Sequence, residues 1–363
     1  MEKEKEKKKK KKEKIYIGEK DKGYYYYEEE KTMLGKGSFG VVFTCYNENR
    51  KGEMYAAKEV ITDNGSDAET YLESEIKILD RISELEIPNV IKKVHATSPK
   101  ALPDGKKSMR TIIFEMCSGK SLERLIEESA PFSEEDICYI LRPLLKCLKG
   151  LHNDKIVHRD LKPANILFKK EWSSGNPTEL RLTDFGVATK IARGLSDGMS
   201  AVGTMAYMAP EQIQMLSYQP ATDMYAFGVI LYQMLFRFLP FADQTAVRTW
   251  FQKNPPCVVM PRCRPVSVEC FDVLQSCMRI DPSCRYSAKQ LLKHRFFKAK
   301  REKDWSLHMF EEVFDGSLNS LFYRLDGVAP DYSEMWEHSK EEDEDPIFKS
   351  NERFVYNAQH DSN

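Results

Sequence analysis

The sequence has no apolar stretch at its start: residues 1–14 are almost wholly lysine and glutamate, so no secretory signal is expected. It has no long hydrophobic run either. Its most apolar stretch, residues 224–241, is broken by Gln233, Arg237 and Pro240 and is short for a bilayer span. A fully buried core helix is expected there, and no transmembrane segment. The nine cysteines (Cys45, Cys117, Cys138, Cys147, Cys257, Cys263, Cys270, Cys277, Cys284) include no CxxC pair and no zinc-site spacing. They read as buried thiols acting as small apolar residues, the last four spaced to share a helix face. Such usage fits a reducing, intracellular and cytoplasmic setting. There is no charge excess, since 55 basic residues meet 56 acidic ones, and no basic patch interleaved with aromatics. Stable nucleic-acid binding is therefore not expected. No internal repeat is present.

The sequence does carry apolar residues in quantity, at 41% of 363, enough for a sizeable core or two small domains. The Lys/Glu-rich N-terminus, with six consecutive lysines at residues 7–12, cannot bury enough apolar area to offset ordering and reads as a disordered tail over residues 1–23. Its alternative reading is a nuclear-import or anionic-surface patch, which the interleaved glutamates weaken. Short β-type runs follow at Val41-Val42-Phe43 and Tyr55-Ala56-Ala57, split by a turn-like stretch from Asn47 to Gly52. Leu72, Ile76, Leu79 and Ile82 predict a helix over 68–84, and Thr111-Ile112-Ile113-Phe114 another strand. Beyond Cys117 helices dominate. Ser133 caps one, with acids in its first turn and apolar residues at helical spacing to about Leu151. Residues 287–297, after Pro282, suggest a last pair of helices.

Five constellations carry chemistry. Gly35-Lys36-Gly37-Ser38-Phe39-Gly40 lets backbone approach a polyphosphate with no Cβ in the way. Alone it reads equally as a glycine turn. The β-rich Val41-Val42-Phe43-Thr44 that follows favours a hairpin over the helix a dinucleotide fold requires. Lys58 ends an apolar strand and needs an anion, because an unpaired buried ammonium is costly. Glu75 on the next helix is the candidate, although the two alone also read as a surface ion pair. His158-Arg159-Asp160-Leu161-Lys162-Pro163-Ala164-Asn165 is the most specific signal. There a carboxylate can accept a hydroxyl proton, a lysine can neutralise a transferring phosphoryl, and an amide oxygen suits Mg²⁺. Asp184-Phe185-Gly186 offers a second metal-ligating carboxylate, and Gly203-Thr204 precedes Ala209-Pro210-Glu211.

In this order and at these spacings, the motifs make residues from about Lys31 to Lys298 resemble the eukaryotic protein kinase family, serine/threonine type. The resemblance implies an α+β, bilobal fold, with a small β-rich N-lobe at 28–115 and a mainly helical C-lobe at 116–300. Residues 301–363, acidic over 341–345, match no kinase extension and read as a tail of unknown role, expected either to pack back on the domain or to serve regulation or docking. It implies ATP and Mg²⁺ as cofactors and protein substrates with Ser/Thr acceptors. Gly35, Lys36, Gly37, Ser38, Phe39 and Gly40 would cover the phosphates, and Lys58 with Glu75 would position them. Val42, Ala56 and Leu167 would sandwich the adenine. Glu115 and Cys117 lie in the hinge, behind a gatekeeper Phe114. Asp160 is the expected catalytic aspartate, Lys162 the γ-phosphate lysine, and Asn165 and Asp184 the metal ligands. Thr204 would hold Asp160 and Lys162, while Glu211 with Arg285 would brace the large lobe. Asp223 would start the helix that anchors the catalytic loop.

Arg159 would read a phosphate on the activation loop, with Ser200 as phosphosite and an upstream activating kinase as partner. Ala164 stands where arginine-directed kinases often carry glutamate, so no such preference is expected. The loop 169–179 is longer than usual. A silent kinase-like scaffold is the rival reading, and it would require loss of Lys58, Asp160, Asn165 or Asp184, all of which are present.

Overall fold

A computed structural model describes residues 14–17, 25–28, 31–37, 40–129, 132–175, 179–190, 204–214, 218–241 and 266–298. The chain divides into two compact units, Met1–Glu86 with Val90–Ser118, and Ile87–Asn89 with Gly119–Asn363.

The first unit is an antiparallel sheet with one helix. Its elements are β1 (Lys14–Ile17), β2 (Tyr25–Glu28), β3 (Met33–Gly37), β4 (Gly40–Asn47), β5 (Arg50–Asp63), α1 (Asp67–Glu84), β6 (Lys93–Ala96), β7 (Lys100–Ala101) and β8 (Lys107–Glu115). The sheet runs β1-β2-β4-β5-β8-β6, with β3 on β4 and β7 on β8. Strand alternation decides its faces. Tyr25, Tyr27, Cys45, Tyr55, Ala57 and Ile113 point into one buried cluster, while Tyr26 and Tyr46 stack outward at 5.7 Å. Burial pushes the Cys45 thiol up to about 12, as expected of a packing residue.

Two expectations change here. The N-terminal segment read as disordered through residue 23 contributes β1, paired with β2. The reason is the alternation Ile15-Tyr16-Ile17. Ile17 joins the buried cluster, Tyr16 lies 6.0 Å from Tyr26, and Lys14 pairs with Glu48 at 3.0 Å. The turn read from Asn47 to Gly52 is shorter, since β4 runs to Asn47 and β5 starts at Arg50. The Asn47 side chain closes it by accepting from the Asn49 N–H at 2.9 Å, a local bond asparagine makes readily.

Helix α1 forms as its periodicity predicts. Ser66 caps it, and Leu72, Ile76, Leu79 and Ile82 are buried.

The second unit holds α2 (Leu122–Glu128), α3 (Glu134–Asn153), β9 (Ile156–Val157), β10 (Ile166–Phe168), β11 (Leu180–Leu182), β12 (Thr189–Lys190), α4 (Pro210–Ile213), α5 (Pro220–Phe236), α6 (Val268–Cys277) and α7 (Ala288–Leu291). Strand β10 pairs with β11, and β9 with β12. Helix α5 is the apolar run, buried almost all round as a core helix should be. A Cβ on its Gly228 would lie 2.6 Å from Met278 Cγ and 2.8 Å from Cys277 Cβ, so the end of α6 packs directly on the α5 backbone. No helix among the described residues is long and apolar enough to cross a membrane. The expected final helix pair is instead the short α7 flanked by 3₁₀ turns at Pro282–Cys284 and Arg295–Phe297. Cys270 and Cys277 are buried on α6, whereas Cys284 lies beyond it and is exposed. The shared cysteine face therefore ends with the helix, while Cys257 and Cys263 lie outside the described residues.

The long loop after β10 is pinned to the start of α3. Asp136 accepts from Ser174 Oγ at 2.8 and 3.0 Å, from the Gly175 N–H at 2.8 Å and from Ser133 Oγ at 2.8 Å. Trp172 packs on Phe132 with centroids 5.5 Å apart. Burial pushes the Asp136 carboxyl up, but the Gly175 N–H and the two serine hydroxyls outweigh it and hold it below the usual range. A depressed carboxylate stabilises the fold above the unfolded-state pKa, and that stability is lost as pH falls through the folded-state value. Asp136→Asn should cost about 1.5–3 kcal/mol at neutral pH, the range for hydrogen bonds to a charged group. Urea unfolding should show this gap closing only below the ordinary aspartate value of about 3.9. A gap that stays constant to lower pH would refute the role.

Candidate active site

The first unit presents the glycine-rich hairpin. Gly37 pairs with Gly40, Lys36 with Val41 and Gly35 with Val42 across β3 and β4. Ser38 and Phe39, at its tip, lie outside the described residues. Gly40 has φ 145°, and a Cβ there would sit 2.2 Å from the Glu59 carbonyl oxygen. Only glycine fits this close approach of β4 to β5.

Further along β4, Val42 pairs with Lys58, and Thr44 with Ala56. Lys58 donates to both Glu75 oxygens, at 2.8 and 3.0 Å. With Glu75 only 3% exposed, the pair is internal and not the surface contact that the sequence alone also allowed. Each charge answers the desolvation cost of the other. At the end of β8, Phe114 is buried. The Glu115 N–H donates to the Lys92 carbonyl at 3.0 Å, and its side chain accepts from the Lys92 N–H at 3.0 Å. Cys117 is half-buried two residues on.

The second unit gathers the dense motif around Asp160. Its Oδ1 accepts from the Thr204 N–H at 2.7 Å and from Thr204 Oγ1 at 3.0 Å. Its Oδ2 pairs with Lys162 Nζ at 2.9 Å and accepts from Asn165 Nδ2 at 3.3 Å. Lys162 Nζ also donates to Thr204 Oγ1 at 2.6 Å, closing a three-residue ring. Asn165 Nδ2 donates to the Asp160 carbonyl at 2.8 Å, which fixes the amide with Oδ1 as its remaining acceptor.

The backbone before Asp160 is held from helix α5. Asp223, 1% exposed, accepts from the His158 N–H (Oδ2) and the Arg159 N–H (Oδ1), both at 3.0 Å. It also meets His152 Nε2 at 2.8 Å. Burial pushes its carboxyl up, but the His152 hydrogen bond, the two histidines and the His158 N–H together hold it low. The His158 ring donates through Nε2 to the Thr183 carbonyl at 3.0 Å and packs edge-on to Phe185 at 4.9 Å. Asp184 follows with φ 64°, a left-handed conformation that aspartate tolerates better than most residues. Leu167 sits on β10 between buried Ile166 and Phe168.

Asn165 and Asp184 offer an amide and a carboxylate oxygen. No cluster of three or more His, Cys, Asp or Glu suited to a metal occurs among the described residues. Few protein ligands of hard oxygen type is what Mg²⁺ uses when substrate phosphates and water complete its shell. The amide and carboxylate oxygens that Asn165 and Asp184 carry are hard donors of the kind that ion takes.

Arg159 donates through Nε to the Val187 carbonyl, and its guanidinium lies 4.9 Å from the Tyr218 ring centre. Ser200 lies outside the described residues. Glu211 and Arg285 form a bidentate pair at 2.7 and 2.8 Å.

Sequence reasoning missed two contributors. His152 braces Asp223, and Gln212 reaches the Arg159 carbonyl at 3.0 Å. Neither stands in a sequence motif, because its partner is 71 or 53 positions away.

Residues 27–297 match the protein kinase domain. Among curated proteins, the chain is 34% identical over 272 residues to serine/threonine-protein kinase sid1 of Schizosaccharomyces pombe, covering 73% of this chain and 53% of that one. It is 31% identical over 307 residues to serine/threonine-protein kinase KIC1 of Saccharomyces cerevisiae, covering 82% and 26%. It is 32% identical over 272 residues to serine/threonine-protein kinase DCLK3 of Homo sapiens, covering 73% and 39%. The matched stretch thus spans between 26% and 53% of the length of these relatives.

Proposed function

From the premise that the chain belongs to the protein kinase family, we propose that it is an active serine/threonine kinase, transferring the γ-phosphoryl group of ATP to Ser or Thr hydroxyls of protein substrates. The observation that carries this reading is the ring of Asp160, Lys162 and Thr204. It sets a proton acceptor beside a cation, and both are oriented by a third group. Asp160 takes the proton as the substrate hydroxyl attacks the γ-phosphorus, and the bond from that phosphorus to the β,γ-bridging oxygen breaks, with ADP as the leaving group. Lys162 offsets charge on the transferring phosphoryl, and its place two residues after Asp160 is typical of serine/threonine kinases. Thr204 keeps both in register.

In the first unit, Gly35, Lys36, Gly37, Ser38, Phe39 and Gly40 supply the phosphate cover, and Lys58, held by Glu75, grips the α- and β-phosphates. Val42 and Ala56 would contact the adenine, and Glu115 and Cys117 would offer it hinge backbone; in the second unit, Leu167 is the proposed adenine contact. Asn165 and Asp184 would hold Mg²⁺, which when bound neutralises charge on the β- and γ-phosphates.

Regulation follows from Arg159. A phosphate added by an upstream kinase at Ser200 would be read by the Arg159 guanidinium through charge-assisted hydrogen bonds. The enzyme would act in the cytoplasm.

The test is incubation with labelled ATP, Mg²⁺ and a generic protein substrate, with phosphoamino-acid analysis of the product. Phosphoserine or phosphothreonine is expected from the wild type, and loss of transfer from Asp184→Asn. No transfer by the wild type, even after treatment with an activating kinase, would make the chain a scaffold instead.

A further inference from the structure

Gln212 lies in the first turn of α4, 2% exposed. Its side chain bridges two backbones. Oε1 accepts from the Ala209 N–H at 3.0 Å, and Nε2 donates to the Arg159 carbonyl at 3.0 Å. A glutamine at this helix position commonly reaches back to the cap N–H. The second bond, to a loop 53 residues away, has no part in capping.

Arg159 is the residue before Asp160 and has φ 68°. An L-residue holds that conformation only where its surroundings over-determine it. Its N–H is held by Asp223 at 3.0 Å. Its carbonyl belongs to the peptide unit that leads into Asp160, and Gln212 holds that unit from the other side. If the peptide plane turned, the Asp160 carboxylate would leave Thr204 and Lys162.

We propose that Gln212 is a positioning residue for Asp160, acting through the Arg159 carbonyl. This rests on the kinase reading. Two variants separate positioning from capping. Gln212→Leu removes both bonds. Gln212→Glu, when ionised, keeps the acceptor for Ala209 and sets a carboxylate against the Arg159 carbonyl. When protonated, the introduced acid offers an acceptor and a donor as the amide does, and burial raises the pH at which it protonates.

Both variants should lower kcat by about 10–100-fold near neutral pH, the scale of a small misplacement of a catalytic group, with the KM for ATP little changed. The kcat of Gln212→Glu relative to wild type should recover as pH falls. Amide hydrogen exchange over residues 158–165 should quicken in both variants. Wild-type kcat in Gln212→Glu at neutral and higher pH, with faster exchange confined to residues 209–214, would reduce Gln212 to a cap and overturn the proposal. If the leucine variant does not fold, the glutamate variant alone decides by its pH dependence and exchange. If the wild type itself transfers no phosphoryl group, the kinase reading fails, while exchange over 158–165 still decides whether Gln212 holds the loop.

Discussion

Asp160→Asn is expected to lower kcat by about 10²–10⁴-fold, the usual contribution of a positioned general base, while the KM for ATP changes little. The structure gives two reasons for the size of the effect. The amide cannot take the hydroxyl proton. It also meets donors on both sides. Oδ1 faces the Thr204 N–H and Oγ1, and Oδ2 faces Lys162 Nζ and Asn165 Nδ2. A carboxylate accepts from all four, whereas an amide must turn an NH₂ toward either the threonine or the lysine. Lys162 then loses its anion. The variant should fold, because the swap preserves shape and the backbone tie to Asp223 does not involve the side chain. Steady-state kinetics with matched thermal melts would check this. A folded variant with kcat within about threefold of wild type would remove Asp160 from the chemistry, since that is under 1 kcal/mol of barrier.

The sequence made the middle of this site legible and left its supports obscure. His158 to Asn165 is dense because its members act on one another within eight residues. Lys58 and Glu75 stand on a strand and a helix whose periods are plain, and their pairing follows from the cost of burying either alone. The ties that hold the loop are of another kind. His152 and Gln212 reach across 71 and 53 positions, and no local pattern marks them. Asp223 is legible through the family resemblance, since on its own a helix-start acid reads like any first-turn carboxylate.

The fold shows the same division. The buried faces of α1 and α3 follow their apolar spacing. Strand β1 did not declare itself, because the lysines and glutamates around it dominate the composition. The length of α7 was over-read, since phenylalanines at 296 and 297 extend an apolar pattern that the backbone meets with a 3₁₀ turn.

Breaking the Glu211–Arg285 pair should cause the largest loss of stability. Arg285 is 0% exposed at its side chain and Glu211 6%. The guanidinium is fully used: Nη1 and Nη2 donate to the two carboxylate oxygens, and Nε, Nη1 and Nη2 donate to the carbonyls of Arg279, Ala221 and Ile280. Thr222 Oγ1 donates to the same carboxylate at 3.1 Å. Removing one partner leaves the other charge buried without compensation, which costs about 3–5 kcal/mol. Arg285→Ala should therefore lower the denaturation midpoint markedly, and Glu211→Gln should do so less, because its amide still accepts one hydrogen bond. The pair Glu211→Leu with Arg285→Met should recover much of the loss, because an apolar replacement of a whole buried ion pair is often close to neutral. Urea unfolding of the four proteins would test this. If the double variant were no more stable than Arg285→Ala, the loss would lie in the three carbonyl contacts rather than in the ion pair. That outcome would make Arg285 a tie between the end of α6 and the start of α5, with Glu211 only neutralising its charge.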